Sequence, residues 1–196
     1  MAATTTARVS ESEYREFALG DKHGSWELVD GLLREKPAMT YGHGRVIYNL
    51  TVLIANQLDP NDYAMRIDHA RLRVSSGTYY VPDLAVIPAA LEQRNLAAPL
   101  ELDAYGEPLP LVIEIWSPST GDYDIFRKLP GYQQRGDLEI WYIQPYERTL
   151  TAWSRQPDGT YRESIHRGGI VQAESMPSVN VDLDSLLKRV ESTPPS

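Results

Sequence analysis

The sequence predicts an α/β protein of mixed α+β character: a central mixed β-sheet flanked by helices, with an antiparallel extension on its C-terminal side. Three observations carry that reading. Strand-length runs rich in Val, Ile, Leu, Trp and Tyr recur at 26–29, 81–87, 109–116 and 138–143. Between the first two lies a stretch with Val46, Ile47, Leu50, Leu53, Ile54 and Leu58 at helical spacing. Further strand-length runs then follow one another over 149–172, with Pro157-Asp158-Gly159 as a turn.

Composition narrows the class. At 196 residues the chain can bury one full core, which predicts a single domain over 21–190, a polar arm at 1–20 and a frayed tail at 191–196. No apolar run approaches the roughly 20 residues of a membrane span. The first residues lack the apolar centre of a secretory signal, so a cytoplasmic location is expected. With no cysteine there is no disulfide, no thiolate metal site and no cysteine nucleophile. A net charge of −8 opposes broad affinity for nucleic acid, which rests on phosphate neutralisation, but leaves a local basic groove open.

The elements follow in order. In the arm, Tyr14, Phe17 and Leu19 offer a short apolar face to a docked helix. Trp26-Glu27-Leu28-Val29, Asp30-Gly31 and Leu32-Leu33-Arg34-Glu35 predict a hairpin, because Asp-Gly favours the two-residue primed turn. A helix over 44–58 ends before Pro60. Residues 63–68 and 70–74 alternate as strands, and Ser75-Ser76-Gly77 turns the chain towards the run containing Asp83. A short helix at 89–100 and an exposed loop at 101–108 precede the strand holding Glu114. Residues 122–135 are helical with Gly136 as terminator, but Pro130 forces a late start or a kink. Strands at 138–143, 149–154, 160–165 and 169–172 form the antiparallel continuation, and a terminal helix at 182–189 turns Leu183, Leu186 and Leu187 inward.

Two acids stand within apolar runs: Asp83 in Val81-Pro82-Asp83-Leu84-Ala85-Val86-Ile87, and Glu114 in Leu111-Val112-Ile113-Glu114-Ile115-Trp116. A carboxylate placed among Val, Ile and Leu is costly to bury alone, so the pair points to a shared cation. Two carboxylates at neighbouring strand ends suit Mg²⁺ or Mn²⁺, hard ions that take oxygen ligands. Lys128 adds the positive charge that metal-assisted phosphodiester cleavage needs for orienting water and stabilising the transition state.

Pro82-Asp83, Glu114-Ile115-Trp116-Ser117-Pro118-Ser119-Thr120, Lys128 with Tyr132 and Gly136, and Glu139-Ile140-Trp141-Tyr142-Ile143 resemble the Uma2-type (DUF820) family of the PD-(D/E)XK restriction-endonuclease-like superfamily. Trp26-Glu27-Leu28-Val29-Asp30-Gly31 and His43 resemble its opening pattern, so the likeness spans residues 25–145. It implies a metal-dependent endonuclease acting on nucleic acid, DNA ahead of RNA. Asp83 and Glu114 would hold the metal with the Ile115 backbone carbonyl, and Glu27 would complete its shell. The superfamily's lysine stands two residues after the acid, where this chain has Trp116, so Lys128 would be the migrated lysine, supplied from the next helix.

Each residue also has a plain structural reading. Asp83 suits a turn after Pro82, Glu114 an edge strand, Glu27 an ordinary strand position, and Lys128 a helix-surface pair with Asp124 four residues earlier. Tyr132 and His43 are candidates for substrate phosphate, with a core ring and a helix cap as their alternatives. His23, His69 and His166 show no zinc-ligand spacing, and Arg66, Arg71 and Arg73 read as a solvated face. Two other functions compete: an inactive nuclease-fold protein that binds nucleic acid or assembles with partners, and a two-carboxylate glycosidase. Exposed aromatics expected around Trp153 and Tyr161 motivate a homodimer.

Overall fold

Asp30 and Gly31 take left-handed φ angles of 51° and 81°. They join β1 (Trp26–Val29) to β2 (Leu32–Glu35) as the Asp-Gly signal predicts. This hairpin opens a structure, here a computed structural model, that describes residues 7–21 and 25–188. The remaining strands are β3 (Tyr63–Ile67), β4 (Arg71–Ser75), β5 (Thr78–Tyr80), β6 (Leu84–Pro88), β7 (Ala104–Tyr105), β8 (Leu111–Ile115), β9 (Glu139–Gln144), β10 (Thr149–Arg155), β11 (Tyr161–His166), β12 (Ile170–Gln172) and β13 (Asn180–Asp182). His23 and the tail at 191–196 lie outside the described residues.

The strands divide between sheets, where the sequence suggested one. The order β11-β10-β9-β8-β6-β3 makes a six-stranded mixed sheet, parallel at β8–β9 and antiparallel elsewhere. The hairpin joins a second sheet, β2-β1-β5-β4-β7. Its edge strand β7 comes from the segment expected to be loop; two residues pairing parallel with β4 are too few to leave a periodic signal. Ile170–Gln172 does not continue the main sheet either. It pairs with Asn180–Asp182 as a separate ribbon, which packs Val171 and Val181 into the core near helix α2.

Period-two alternation sorts the main sheet into two faces. Leu84, Val86, Leu111, Ile113 and Ile115 face α2 (Tyr41–Ala55) and α6 (Leu183–Leu186), and pack on Val46, Ile47, Leu50, Ile54, Leu183 and Leu186. Ala85, Ile87, Val112 and Ile140 face the other way, onto Tyr80, Tyr132 and Trp153. Trp153 is therefore buried, with its indole N–H on Glu163 at 2.9 Å, and Tyr161 gives its hydroxyl to the Asp137 carbonyl at 2.6 Å. The exposed aromatic surface that motivated a homodimer is not there.

The helix expected over 122–135 runs as α4 (Gly121–Tyr123), a π-turn (Asp124–Lys128) and α5 (Leu129–Arg135), ending at Gly136 with φ 82°. Pro130 sits in the first turn after the wide segment. A proline lacks an N–H and crowds the carbonyl four residues back; the wide turn, in which the Leu129 N–H reaches the Asp124 carbonyl, accommodates it without a break.

The arm is bound rather than loose over its described part. Helix α1 (Glu11–Gly20) starts on a Ser10–Glu13 capping box and buries Tyr14 completely, while Leu19 is exposed and Phe17 packs edge-on against Trp26. Glu11 accepts from Arg73, Tyr79 and the Gly77 N–H, so the arm is held by charge as much as by apolar contact.

Candidate active site

Asp83 lies in the three-residue passage by which the chain leaves β5 in one sheet and enters β6 in the other. β6 and β8 pair Leu84 with Ile113, so continuing the register by one residue sets Asp83 opposite Glu114. Glu114 shares the sheet face of Val112, towards the helix carrying Lys128 and Tyr132. Asp83 thus meets the Glu114–Ile115 step of β8, its Oδ2 taking the Ile115 N–H, and both predicted acids are buried at 2–3% exposure.

Each carboxylate has its own set of partners. Asp83 Oδ2 accepts from His43 Nε2 at 2.9 Å and from the Ile115 N–H at 2.8 Å, and Oδ1 from Lys36 Nζ at 2.9 Å. Burial opposes its charge, but Lys36 and His43 outweigh burial and hold the carboxyl far below its usual range. Glu114 Oε1 accepts from Tyr132 Oη at 2.6 Å and Lys128 Nζ at 3.1 Å. Its Oε2 is buried without a hydrogen-bond partner. Here burial wins: together with Asp124 and Asp83 it overrides Lys128 and pushes the Glu114 carboxyl well up.

Lys128 is the hub. Its ammonium lies 3.2 Å from the Val81 carbonyl, 3.0 Å from Glu27, 3.1 Å from Glu114 and 3.2 Å from Asp124. Burial works against the charge, yet the three carboxylates raise its pKa well above the lysine range. The ammonium donates to the Val81 carbonyl and Glu114 and is ion-paired with Glu27 and Asp124, whose Oδ1 has no hydrogen-bond partner. Lys128 pairs with Asp124, as its spacing suggested, and also reaches Glu114, but the helix-surface reading fails because the side chain is interior at 1% exposure.

Glu27 comes from β1 in the other sheet and is fully enclosed. Oε1 takes the Val81 N–H at 2.9 Å and Lys128; Oε2 takes Tyr123 Oη at 2.9 Å and Arg34 at 3.4 Å, with the Arg34 guanidinium 3.4 Å above the Tyr123 ring. Tyr132 is wholly buried with its hydroxyl committed to Glu114. His43, in the first turn of α2 behind the Thr40 cap, is committed to Asp83. Arg66, Arg71 and Arg73 do not form a free basic face: Arg66 pairs with Asp103, Arg73 with Glu11, and Arg71 is buried on the His69 carbonyl.

Sequence reasoning missed Lys36, Arg34 and Tyr123, and treated Asp124 only as a partner for Lys128. Arg34 had one visible signal, as it stands directly across the hairpin from Glu27. Lys36 had none, since its partner Asp83 is 47 residues away.

The residues suit a hard divalent ion in one respect. Glu114 Oε2 is a buried carboxylate oxygen with no donor, beside a second carboxylate whose Oδ1 meets only a mobile type of cation, a lysine. Among the described residues no three Asp, Glu, His or Cys side chains are grouped as a ready-made metal centre.

The mixed sheet, covered on one face by α2 and α6 and on the other by the helix carrying Tyr132, is the α/β architecture the sequence predicted. The chain belongs to the Uma2 family, whose model, described as "Putative restriction endonuclease", matches residues 12–184. Its fold is similar to that of a solved "putative nuclease belonging to DUF820" from Anabaena variabilis ATCC 29413. The two are 16% identical with a TM-score of 0.68, covering 92% of this chain and 98% of the other. No curated protein matches the chain.

Proposed function

We propose that this protein is a divalent-metal-dependent endonuclease that hydrolyses nucleic-acid phosphodiester bonds, DNA ahead of RNA. One observation supports the reading: Asp83 Oδ2 accepts from the Ile115 N–H, the residue next to Glu114, and Glu114 in turn holds Lys128 and Tyr132, within a chain of the Uma2 family. Asp83, Glu114 and the Ile115 carbonyl would hold Mg²⁺ or Mn²⁺, which when bound supplies an activated water and neutralises charge on the phosphate. Glu27 is spoken for by Lys128, Tyr123, Arg34 and the Val81 N–H, and we assign it to positioning Lys128.

The protein's own groups set the geometry. His43 and the Ile115 N–H fix Asp83 Oδ2, leaving Oδ1 for exchange. Tyr132 and Lys128 fix Glu114 Oε1, leaving Oε2 for the ion. Lys128 thus acts through the carboxylates it orients.

The test is Mn²⁺ titration calorimetry on wild type and Asp83→Ala, beside cleavage assays on single- and double-stranded DNA and RNA with and without EDTA. Metal binding lost in the variant and EDTA-sensitive cleavage are the expected results. No binding at millimolar Mn²⁺ defeats the proposal, and EDTA-insensitive sugar hydrolysis would restore the two-carboxylate glycosidase. The net charge of −8 and the full engagement of Lys128 favour one second reading, a nuclease fold that binds nucleic acid without cutting it. Metal binding with no cleavage of any substrate would select it.

A further inference from the structure

Lys36 has no part in the chemistry above, yet it is the residue in closest contact with Asp83 Oδ1. It follows β2 directly, where its N–H donates to the Ser25 carbonyl at 2.7 Å. Its side chain is 6% exposed, and Nζ bonds both Asp83 Oδ1, at 2.9 Å, and Asp68 Oδ1. Burial opposes its charge, but Asp83 and Asp68 keep the ammonium protonated above the ordinary lysine range.

The division of Asp83's partners gives this contact its meaning. The two fixed donors, His43 and the Ile115 N–H, both go to Oδ2. Lys36 takes Oδ1, the oxygen left for a cation. Asp68 stands beside it, tied to the same passage of chain by its N–H on the Asp83 carbonyl at 3.0 Å, and held at a left-handed φ of 55°. Its carboxylate is 23% exposed against 2% for Asp83, so it offers the ammonium a second anchor closer to solvent.

We propose that Lys36 is a built-in competitor for the metal: its ammonium and a divalent cation are alternative occupants of Asp83 Oδ1, and Asp68 retains Lys36 when the cation displaces it. The inference rests on the metal-dependent reading above. A tethered unit charge hydrogen-bonded to the ligand oxygen at 2.9 Å must move before an ion of twice its charge can enter, because like charges at that separation repel strongly in a partly buried site. The measured metal affinity is therefore the intrinsic affinity reduced by the hold of Lys36 on Asp83. Asp68 sets how large that reduction is.

The experiment is Mn²⁺ calorimetry on the full chain, on Lys36→Met, on Asp68→Asn, on the double variant and on Arg34→Met, with folding checked by circular dichroism. Lys36→Met is expected to bind at least about tenfold more tightly, given the unit charge removed beside the ligand. Asp68→Asn is expected to bind more weakly, since the ammonium then loses its second anchor; asparagine tolerates the left-handed backbone at that position. In the Lys36→Met background the Asp68→Asn effect should largely vanish. Arg34 contacts Glu27 and Tyr123 instead of Asp83. A gain from Arg34→Met equal to that from Lys36→Met would mean general charge repulsion and would overturn the competition.

Wild-type binding with no gain in Lys36→Met overturns this proposal and leaves the metal reading intact. Absence of Mn²⁺ binding in every chain overturns both. If Lys36→Met does not fold, Asp68→Asn decides alone, and unchanged or tighter binding defeats the idea.

Discussion

Replacing Lys128 by methionine keeps the apolar stem of the side chain and removes the ammonium, with its charge and its N–H bonds to Val81 and Glu114. Glu27, Glu114 and Asp124, each no more than 3% exposed, are then left around a position with no cation. Breaking a buried ion pair by deleting one partner costs about 3–5 kcal/mol, against a total stability of about 5–15 kcal/mol for a domain. For a chain of this size that corresponds to a fall in Tm of about 6–20 °C.

The pH dependence gives the experiment a second axis. The Lys128 pKa is raised above the ordinary lysine value of 10.5, so its contribution is complete below that pH and is lost only as pH rises through the folded value. Comparison at pH 5–8 therefore reads its full effect in the wild type. In Lys128→Met the strain lies in the ionised carboxylates. Burial already pushes Glu114 and Asp124 upward, so protonation relieves the variant as pH falls, and the Tm gap should be narrower at pH 5 than at pH 8. Thermal melts followed by circular dichroism at both values measure this. A variant within about 2 °C of wild type at pH 8 would refute the assignment of Lys128 as the hub.

Three further outcomes are expected. Glu114→Gln should stabilise the fold by about 1 kcal/mol or more for each pH unit by which burial raises the carboxyl pKa, because the buried group no longer has to ionise, while weakening Mn²⁺ binding. Because the Glu114 pKa is raised on folding, the gain should appear as pH climbs above 4.5 and be absent below it, which melts across pH 4–8 will check. Glu11→Gln should loosen α1 at a cost of about 1 kcal/mol, as for a partly exposed ion pair. Arg73 lowers the folded Glu11 pKa to about 2 from 4.5, so the deficit should be complete above pH 4.5 and close as pH approaches 2; limited proteolysis of the arm at pH 7 gives a second readout. Gly131→Ala would place a methyl 2.7 Å from the Tyr80 ring and 3.2 Å from Val74, so chemical denaturation should show a loss of about 1–3 kcal/mol.

What the sequence could and could not reveal follows from the range of the interactions. Asp30-Gly31, the apolar face of α2 and the apolar settings of Asp83 and Glu114 are local signals, and each element stands where they point. The division into two sheets is not local, because β1 finds β5 across some fifty residues and no periodicity records that choice. The same distance hid Lys36, whose Glu-Lys-Pro setting looks like any charged loop. Trp153 illustrates another failure: on a C-terminal strand its ring was expected at the surface, but the alternation of β10 turns it onto the helix-covered face with Ile140 and Tyr132. Lys128 was legible in identity but not in environment, since four acceptors from four segments meet it only in the fold.

The π-turn at Asp124–Lys128 bears on which changes this helix can accept. An extra residue in one turn shifts everything beyond it by about 100° relative to an unbroken α-helix. Asp124 upstream and Tyr132 downstream both meet the same buried cluster only with that phase in place. Phe126, within the wide turn, is 73% exposed and buries little. Exchanging its side chain should be nearly neutral, whereas deleting the residue would rotate Tyr132 away from Glu114. At this point of the chain the site is indifferent to composition and strict about length.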